Sequence, residues 1–474
     1  MIRSKIGIIT TLFLITLTAH ADRNSEVQAL LDEYSKDPVS FFEKDALKKS
    51  PPREHHAAPG DLSILSGYRK IDRAEDLVDE LRYSTLQSMD EAGVRKARLT
   101  VSPWSDSYWP LYNAIIARRY ADSSYPNSLN WEKNADYLRD DLGKSSIDSL
   151  SPAEKYDLLT GDTSYSLTLA MINAGQPFFE HHGKVEKWMG ICNGWAPASY
   201  MMDRPESAVT VLATDGSTPI RFYPSDIKGL ASLLWANGTV PWRSIGGRCA
   251  KKSPNEDPLG RPTNADCLDT NPGTWHLSVV NQLAVSNRSL IMDVDYLYEV
   301  WNQPILSYEY SYFNPATKKA VHSLKNARIE LSHFPEDHYR NVRSPEAVAI
   351  VGIAMDVYYV TEVEPKHRPK DSVSNDKTTM KRWLYDIELD QNGKIVGGEW
   401  YQLAHPDFLW SPLKESKTQT AGDQWLEESR STQSWSSREP LPTDWQKAAH
   451  LGASKSQPLR KIVEQLILFS KLYK

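Results

Sequence analysis

Three residue types that together make a nucleophile, its base and an orienting carboxylate occur in order along this chain: Cys192, His276 and Asp293. Cys192 lies in Trp188-Met189-Gly190-Ile191-Cys192-Asn193-Gly194-Trp195-Ala196-Pro197. Pro197 has no N–H to donate, and proline is tolerated in the first turn of a helix. A helix through Ala196 to Met202 should therefore start near Asn193 or Gly194 and end at Asp203-Arg204-Pro205. This places Cys192 at or just before a helix N-terminus, where partial positive charge stabilises a thiolate. Free N–H groups there can also hold the oxyanion of a tetrahedral intermediate.

The base and the carboxylate come from the second half. Thr274 to Leu283 alternates like a strand, with His276, Ser278 and Val280 on one face. The next predicted strand, Leu290 to Tyr298, carries Asp293 and Asp295 on a common face. Either can hold an imidazole in its working tautomer, and the sequence leaves the choice open. The competing reading makes Cys192 an ordinary core residue, and spacing alone does not separate the two.

The elements that must position these residues divide unevenly along the chain. Helices are predicted at 22–49, at 71–99, from Leu111 to Tyr120, and after Ser151-Pro152, where Ser151 caps, Pro152 takes the first helical position and Glu154 supplies first-turn charge. Strands are predicted over 275–312, 347–363 and 381–401, the last with a hairpin turn at Asp390-Gln391-Asn392-Gly393. Residues 411–457 read as polar and irregular, and 458–474 as an amphipathic helix docked on the protein. Helices early and strands late predict an α+β fold, with a helical first half packed on a mainly antiparallel sheet.

Residues 1–21 read as a signal peptide. Arg3 and Lys5 precede an apolar run, and Ala19-His20-Ala21 offers a cleavage site. Secretion or a periplasmic location follows. No other stretch approaches the roughly 20 apolar residues of a membrane span. The net charge of −6 becomes more negative once Arg3 and Lys5 are removed, so a nucleic-acid partner is excluded.

An oxidising compartment gives the three cysteines meaning. Any one disulfide leaves one thiol free: the pairs are Cys249–Cys267, Cys192–Cys249 and Cys192–Cys267. The polar loop between Cys249 and Cys267 gains most from closure, about 3 kcal/mol. That choice leaves Cys192 as the free thiol. Asn255, Glu256, Asp257, Asp266 and Asp269 offer oxygens in or beside the same loop, a composition open to Ca2+ without an EF-hand pattern. The chemistry itself requires no cofactor. The paired histidines His55-His56 and His181-His182 read as loop residues. Trp195 and Trp275 flank the candidate residues, either as core or as the lining of an acceptor channel.

Four stretches resemble the transglutaminase elicitor family, which includes oomycete cell-wall transglutaminases. They are Trp104 to Pro110, Leu150 to Asp162, the Cys192 segment, and the run from Cys267 through His276 to Val300-Trp301-Asn302-Gln303-Pro304. The last five residues resemble the core of that family's immune-eliciting peptide, and the match weakens after Pro304. The resemblance covers roughly Thr100 to Pro412. It implies a cysteine-protease/transglutaminase-like catalytic core over 100–412, preceded by a helical region at 22–99 and followed by a polar extension at 413–474.

The same resemblance implies a protein-glutamine γ-glutamyltransferase. Cys192 would be the nucleophile, with His276 and Asp293 its partners, a protein glutamine the donor, and a lysine or small amine the acceptor. A cysteine peptidase or amidase would use the same residues with water as acceptor. A non-catalytic, elicitor-like wall protein would instead bury Cys192 far from His276.

Overall fold

A computed structural model describes residues 23–43, 72–248, 269–294 and 299–472. Twelve strands are described: β1 (Lys96–Arg98), β2 (Val209–Leu212), β3 (Pro219–Phe222), β4 (Trp242–Gly246), β5 (Ile291–Asp293), β6 (Asn302–Asn314), β7 (Lys319–Val321), β8 (Arg328–Glu330), β9 (Ala349–Thr361), β10 (Lys377–Leu389), β11 (Ile395–Trp400) and β12 (Phe408–Pro412). Ten form one antiparallel sheet along the path β11-β10-β9-β6-β5-β12-β4, with β1 and β7 also on β6 and β8 on β9. Strands β2 and β3 form a separate ribbon. The predicted α+β class is what the chain adopts.

The helices that matter for the site are α1 (Pro152–Thr160), α2 (Cys192–Met201), α3 (Pro224–Asn237), α4 (Pro272–Val280), α5 (Ala421–Ser429), α6 (Thr443–Ala453) and α7 (Arg460–Leu472). Helix α1 starts as its sequence dictates. The Ser151 hydroxyl accepts from Glu154 N–H, and the Glu154 carboxylate accepts from Ser151 N–H. Glu154 also pairs with the fully buried Arg119 at 2.6 Å. Its neighbour Lys155 reaches Asp226 of α3 at 2.7 Å, with both side chains buried. Such pairs are costly to break one partner at a time, so the Leu150–Asp162 stretch fixes α3 and, through it, α2.

Helices α2 and α3 pack at very close range. A Cβ at Gly194 would fall 2.1 Å from Ser232 O and 2.6 Å from the backbone N of Ala236. Trp104 to Pro110 braces the same helix from the other side. Trp104 N donates to Ser199 O, Trp195 Nε1 to Trp104 O, and Ile191 N to Tyr108 O. The C-terminal segment joins this core rather than lying apart. Leu426, Trp445, Leu459, Leu466 and Phe469 are buried in the same apolar cluster as Trp195 and Trp275.

Several expectations need correction. Residues 71–99 do not form one helix. They hold a turn at Ala74–Asp76, a helix at Leu86–Glu91 and strand β1. The cause is tertiary: Asn281 Oδ1 accepts from Arg82 N and Tyr83 N, and Gln282 Oε1 from Asp79 N, which keeps that backbone out of helical bonding. Leu111 to Tyr120 is broken into two short turns by the left-handed Ala114 and Ile115. Residues 411–457 contain α5 and α6, and α5 opens with a capping box between Thr420 and Asp423. Thr274 to Leu283 is helix α4 followed by a π turn at Asn281–Val285, not a strand. Asn271 caps it through Gly273 N–H, and Pro272 pre-sets the first turn. The helices expected at 22–49 and 458–474, strand β9, and the β10–β11 hairpin turning at Gly393 agree with the structure within the described residues.

Gly194→Ala should push α2 off α3 and lower stability by about 1–3 kcal/mol. A fall in melting temperature checks it, and an unchanged melting temperature would contradict the close packing.

Candidate active site

Cys192 is the first residue of α2. The helix begins one residue earlier than the proline alone requires and runs through Pro197 to Met201. The thiol is unpaired and buried, with only 6 % of the residue exposed. Its position at the positive end of a helix favours the thiolate. Burial works the other way and raises the thiol to about 11, and the Glu362 and Asp293 carboxylates add to the rise. Against these, Asn302 lowers it through its side-chain and its backbone N–H.

The contacts of the sulfur come from the start of β6. The thiol donates to Val300 O at 3.7 Å, and Asn302 Nδ2 donates to Sγ at 3.5 Å. Asn302 Oδ1 in turn accepts from Trp410 Nε1 of β12 at 2.7 Å. Asn302 stands opposite Asp293 in the β5–β6 pairing. The fully buried Asp293 carboxylate accepts from Trp301 N at 2.9 Å. Trp301 packs edge-on against Tyr108 at 5.3 Å. Behind them, Gln303 Nε2 donates to Glu362 Oε1 at 2.7 Å. The structure thus brings Cys192 and Asp293 into one neighbourhood, joined by Asn302.

His276 is elsewhere. On α4 it packs against Tyr310 with ring centroids 4.7 Å apart, and its Nδ1 lies 2.9 Å from Tyr385 Oη. Tyr310 is eight residues beyond Asn302 on β6, about 26 Å of strand rise. The expected Cys192–His276 contact is therefore not formed. The reason is the Asn271-Pro272 cap: it makes a helix where a strand was expected and turns His276 into the aromatic layer under α4. Burial lowers this imidazole to about 3, so it is neutral in any ordinary buffer. His405, stacked on Trp400 at 4.9 Å, is lowered to about 3 in the same way. Both imidazoles gain a proton on unfolding as pH falls from 6.5 toward 3, and they disfavour the folded state over that window.

Asp295, Cys249, Cys267, Asn255, Glu256, Asp257 and Asp266 lie outside the described residues. Trp195 and Trp275 are fully buried core residues, Trp275 against Trp383 and Trp400. His181 and His182 end a short helix, Gln176–His182. Among the described residues no group of His, Cys, Asp or Glu is arranged to hold a metal ion, and no helix is long and apolar enough to cross a membrane. Asn302, Val300, Trp410 and Glu362 were missed from sequence. Asn302 and Val300 lie inside the stretch resembling the eliciting peptide, and nothing in that stretch marks a position beside a thiol.

Native protein should react slowly with iodoacetamide at pH 8, with the rate climbing toward a midpoint near 11. His276→Phe should leave that profile unchanged. A Cys192 midpoint below 8, or one displaced by His276→Phe, would contradict this geometry.

A family model described as "Transglutaminase elicitor" matches residues 78–429. The backbone is similar to that of the GP42 transglutaminase from Phytophthora sojae, at 19 % identity and a TM-score of 0.49, covering 78 % of this chain and 94 % of that one. No curated protein sequence matches the chain.

Proposed function

The chain belongs to the transglutaminase elicitor family, and on that premise we propose that it is an acyltransferase acting on protein glutamine, with Cys192 as nucleophile. The observation that carries the reading is the seat of Cys192: an unpaired thiol at a helix N-terminus, with an amide donor aimed at its sulfur. Attack of Sγ on a glutamine carboxamide forms a C–S bond and breaks the C–N bond. The thiol proton leaves with the nitrogen as ammonia. A lysine or small amine then attacks the thioester, the C–S bond breaks, and the amine proton returns to sulfur. The product is an isopeptide bond.

The described packing gives this scheme no imidazole beside the thiol. We assign the proton relay to Asp293, which stands opposite Asn302 across the β5–β6 pairing. The signal-like N-terminus supports action outside the cytoplasm, on cell-wall or other exported proteins. Neither this chemistry nor the described residues assign calcium a role.

A second reading is favoured by one observation. A buried Cys192 remote from His276 is what a non-catalytic, elicitor-like wall protein would show. One experiment separates the readings: incubate the mature protein with a glutamine-bearing protein and a fluorescent primary amine. We expect amine incorporation with matching release of ammonia, both abolished by Cys192→Ala. Ammonia or peptide release without incorporation would mean hydrolysis, and no thiol-dependent product would mean the non-catalytic reading is right.

A further inference from the structure

We propose that Asn302 is a catalytic residue, its side-chain amide the donor that stabilises negative charge on Cys192 sulfur and on the oxyanion that forms beside it, and that Trp410 is the positioning residue that keeps this amide facing the sulfur. The proposal rests on Cys192 being the nucleophile and adds what that nucleophile uses.

The indole of Trp410 decides which end of the Asn302 carboxamide faces the thiol. Indole Nε1 is a donor and never an acceptor. The Asn302 atom 2.7 Å from Trp410 Nε1 must therefore be oxygen, whatever the amide would choose alone. With Oδ1 fixed on Trp410, Nδ2 is left pointing at Cys192 Sγ, 3.5 Å away. A flipped amide would set N–H against N–H at Trp410 and a carbonyl against the sulfur, which is unfavourable at both ends.

Both partners are held. Asn302 is 2 % exposed and Trp410 5 %. Trp410 lies on β12, paired with Ile291 of β5 and Ser244 of β4, and packs edge-on against Trp242 at 6.2 Å. Asn302 lies opposite Asp293 across the β5–β6 pairing.

The surroundings explain why a donor is needed. Burial and two carboxylates, Asp293 from β5 and Glu362 after β9, all oppose a charged sulfur. The Val300 carbonyl accepts from the neutral thiol and would face a thiolate unfavourably. Asn302 and the N-terminal end of α2 are what oppose them. A hydrogen bond to a charged acceptor is roughly twice as strong as one between neutral groups. The Nδ2 bond therefore strengthens as the sulfur, or the adjoining oxyanion, takes up charge. An interaction that grows toward the transition state raises turnover more than binding.

The test uses the whole mature chain, with Asn302→Leu (similar shape, no donor) and Trp410→Phe (donor amide kept, its anchor removed). Iodoacetamide alkylation of Cys192 at pH 9 reads the thiolate fraction. We expect it to slow about tenfold in Asn302→Leu, equivalent to a midpoint about one pH unit higher, and to slow by a smaller factor in Trp410→Phe. In amine transfer, kcat should fall about 100-fold in Asn302→Leu with KM nearly unchanged. Alkylation at the wild-type rate in folded Asn302→Leu would overturn the proposal. If that variant does not fold, Trp410→Phe decides by the same criterion. Alkylation needs no acyl substrate, so a protein that never transfers amines would overturn the catalytic role together with the activity reading, while the alkylation rates would still decide whether Asn302 stabilises charge on the sulfur.

Discussion

The interaction on which the site depends is the bond from Trp410 Nε1 to Asn302 Oδ1. It ties the strand that flanks β5 to the first residue of β6, and through Asn302 Nδ2 it reaches the first residue of α2. Three distant segments therefore meet at one sulfur. Helix α2 is held from behind by its close contact with α3 at Gly194 and from the side by the Trp104–Pro110 stretch. The buried Lys155–Asp226 pair holds α3 in turn. None of these parts touches the thiol, yet each limits where it can sit.

The electrostatics of this position pull both ways. A helix N-terminus and the Asn302 amides favour a thiolate, while burial and nearby carboxylates oppose it more strongly, leaving the resting thiol protonated. In the proposed acyl transfer, charge therefore appears on the sulfur during the reaction and not before it. A protonated thiol is also the less readily oxidised form of the sulfur.

Much of this was legible in the sequence, for identifiable reasons. Ser151-Pro152 with Glu154 and the Asp390–Gly393 turn are local signals whose backbone consequences survive here, whereas Pro197 sits inside the helix and not in its first turn. The errors came where a local pattern had two solutions. Alternation across Thr274 to Leu283 suggested a strand, but the Asn271-Pro272 cap immediately before it decided for a helix and moved His276 away from Cys192. Residues 79–83 looked helical until Asn281 and Gln282, some 200 positions later, took up their N–H groups. Asn302 could not be found from spacing at all, because its role comes from a tryptophan 108 residues further on.

Acyl transfer through Cys192 requires a thioester on its sulfur. The most direct measurement is the intact mass of the protein mixed briefly with a glutamine-containing peptide and quenched in acid. A gain of the peptide mass less ammonia, mapped to Cys192 and released by hydroxylamine, is the expected result. A mass that never rises above that of the free protein, under conditions where amine transfer is seen, would contradict it.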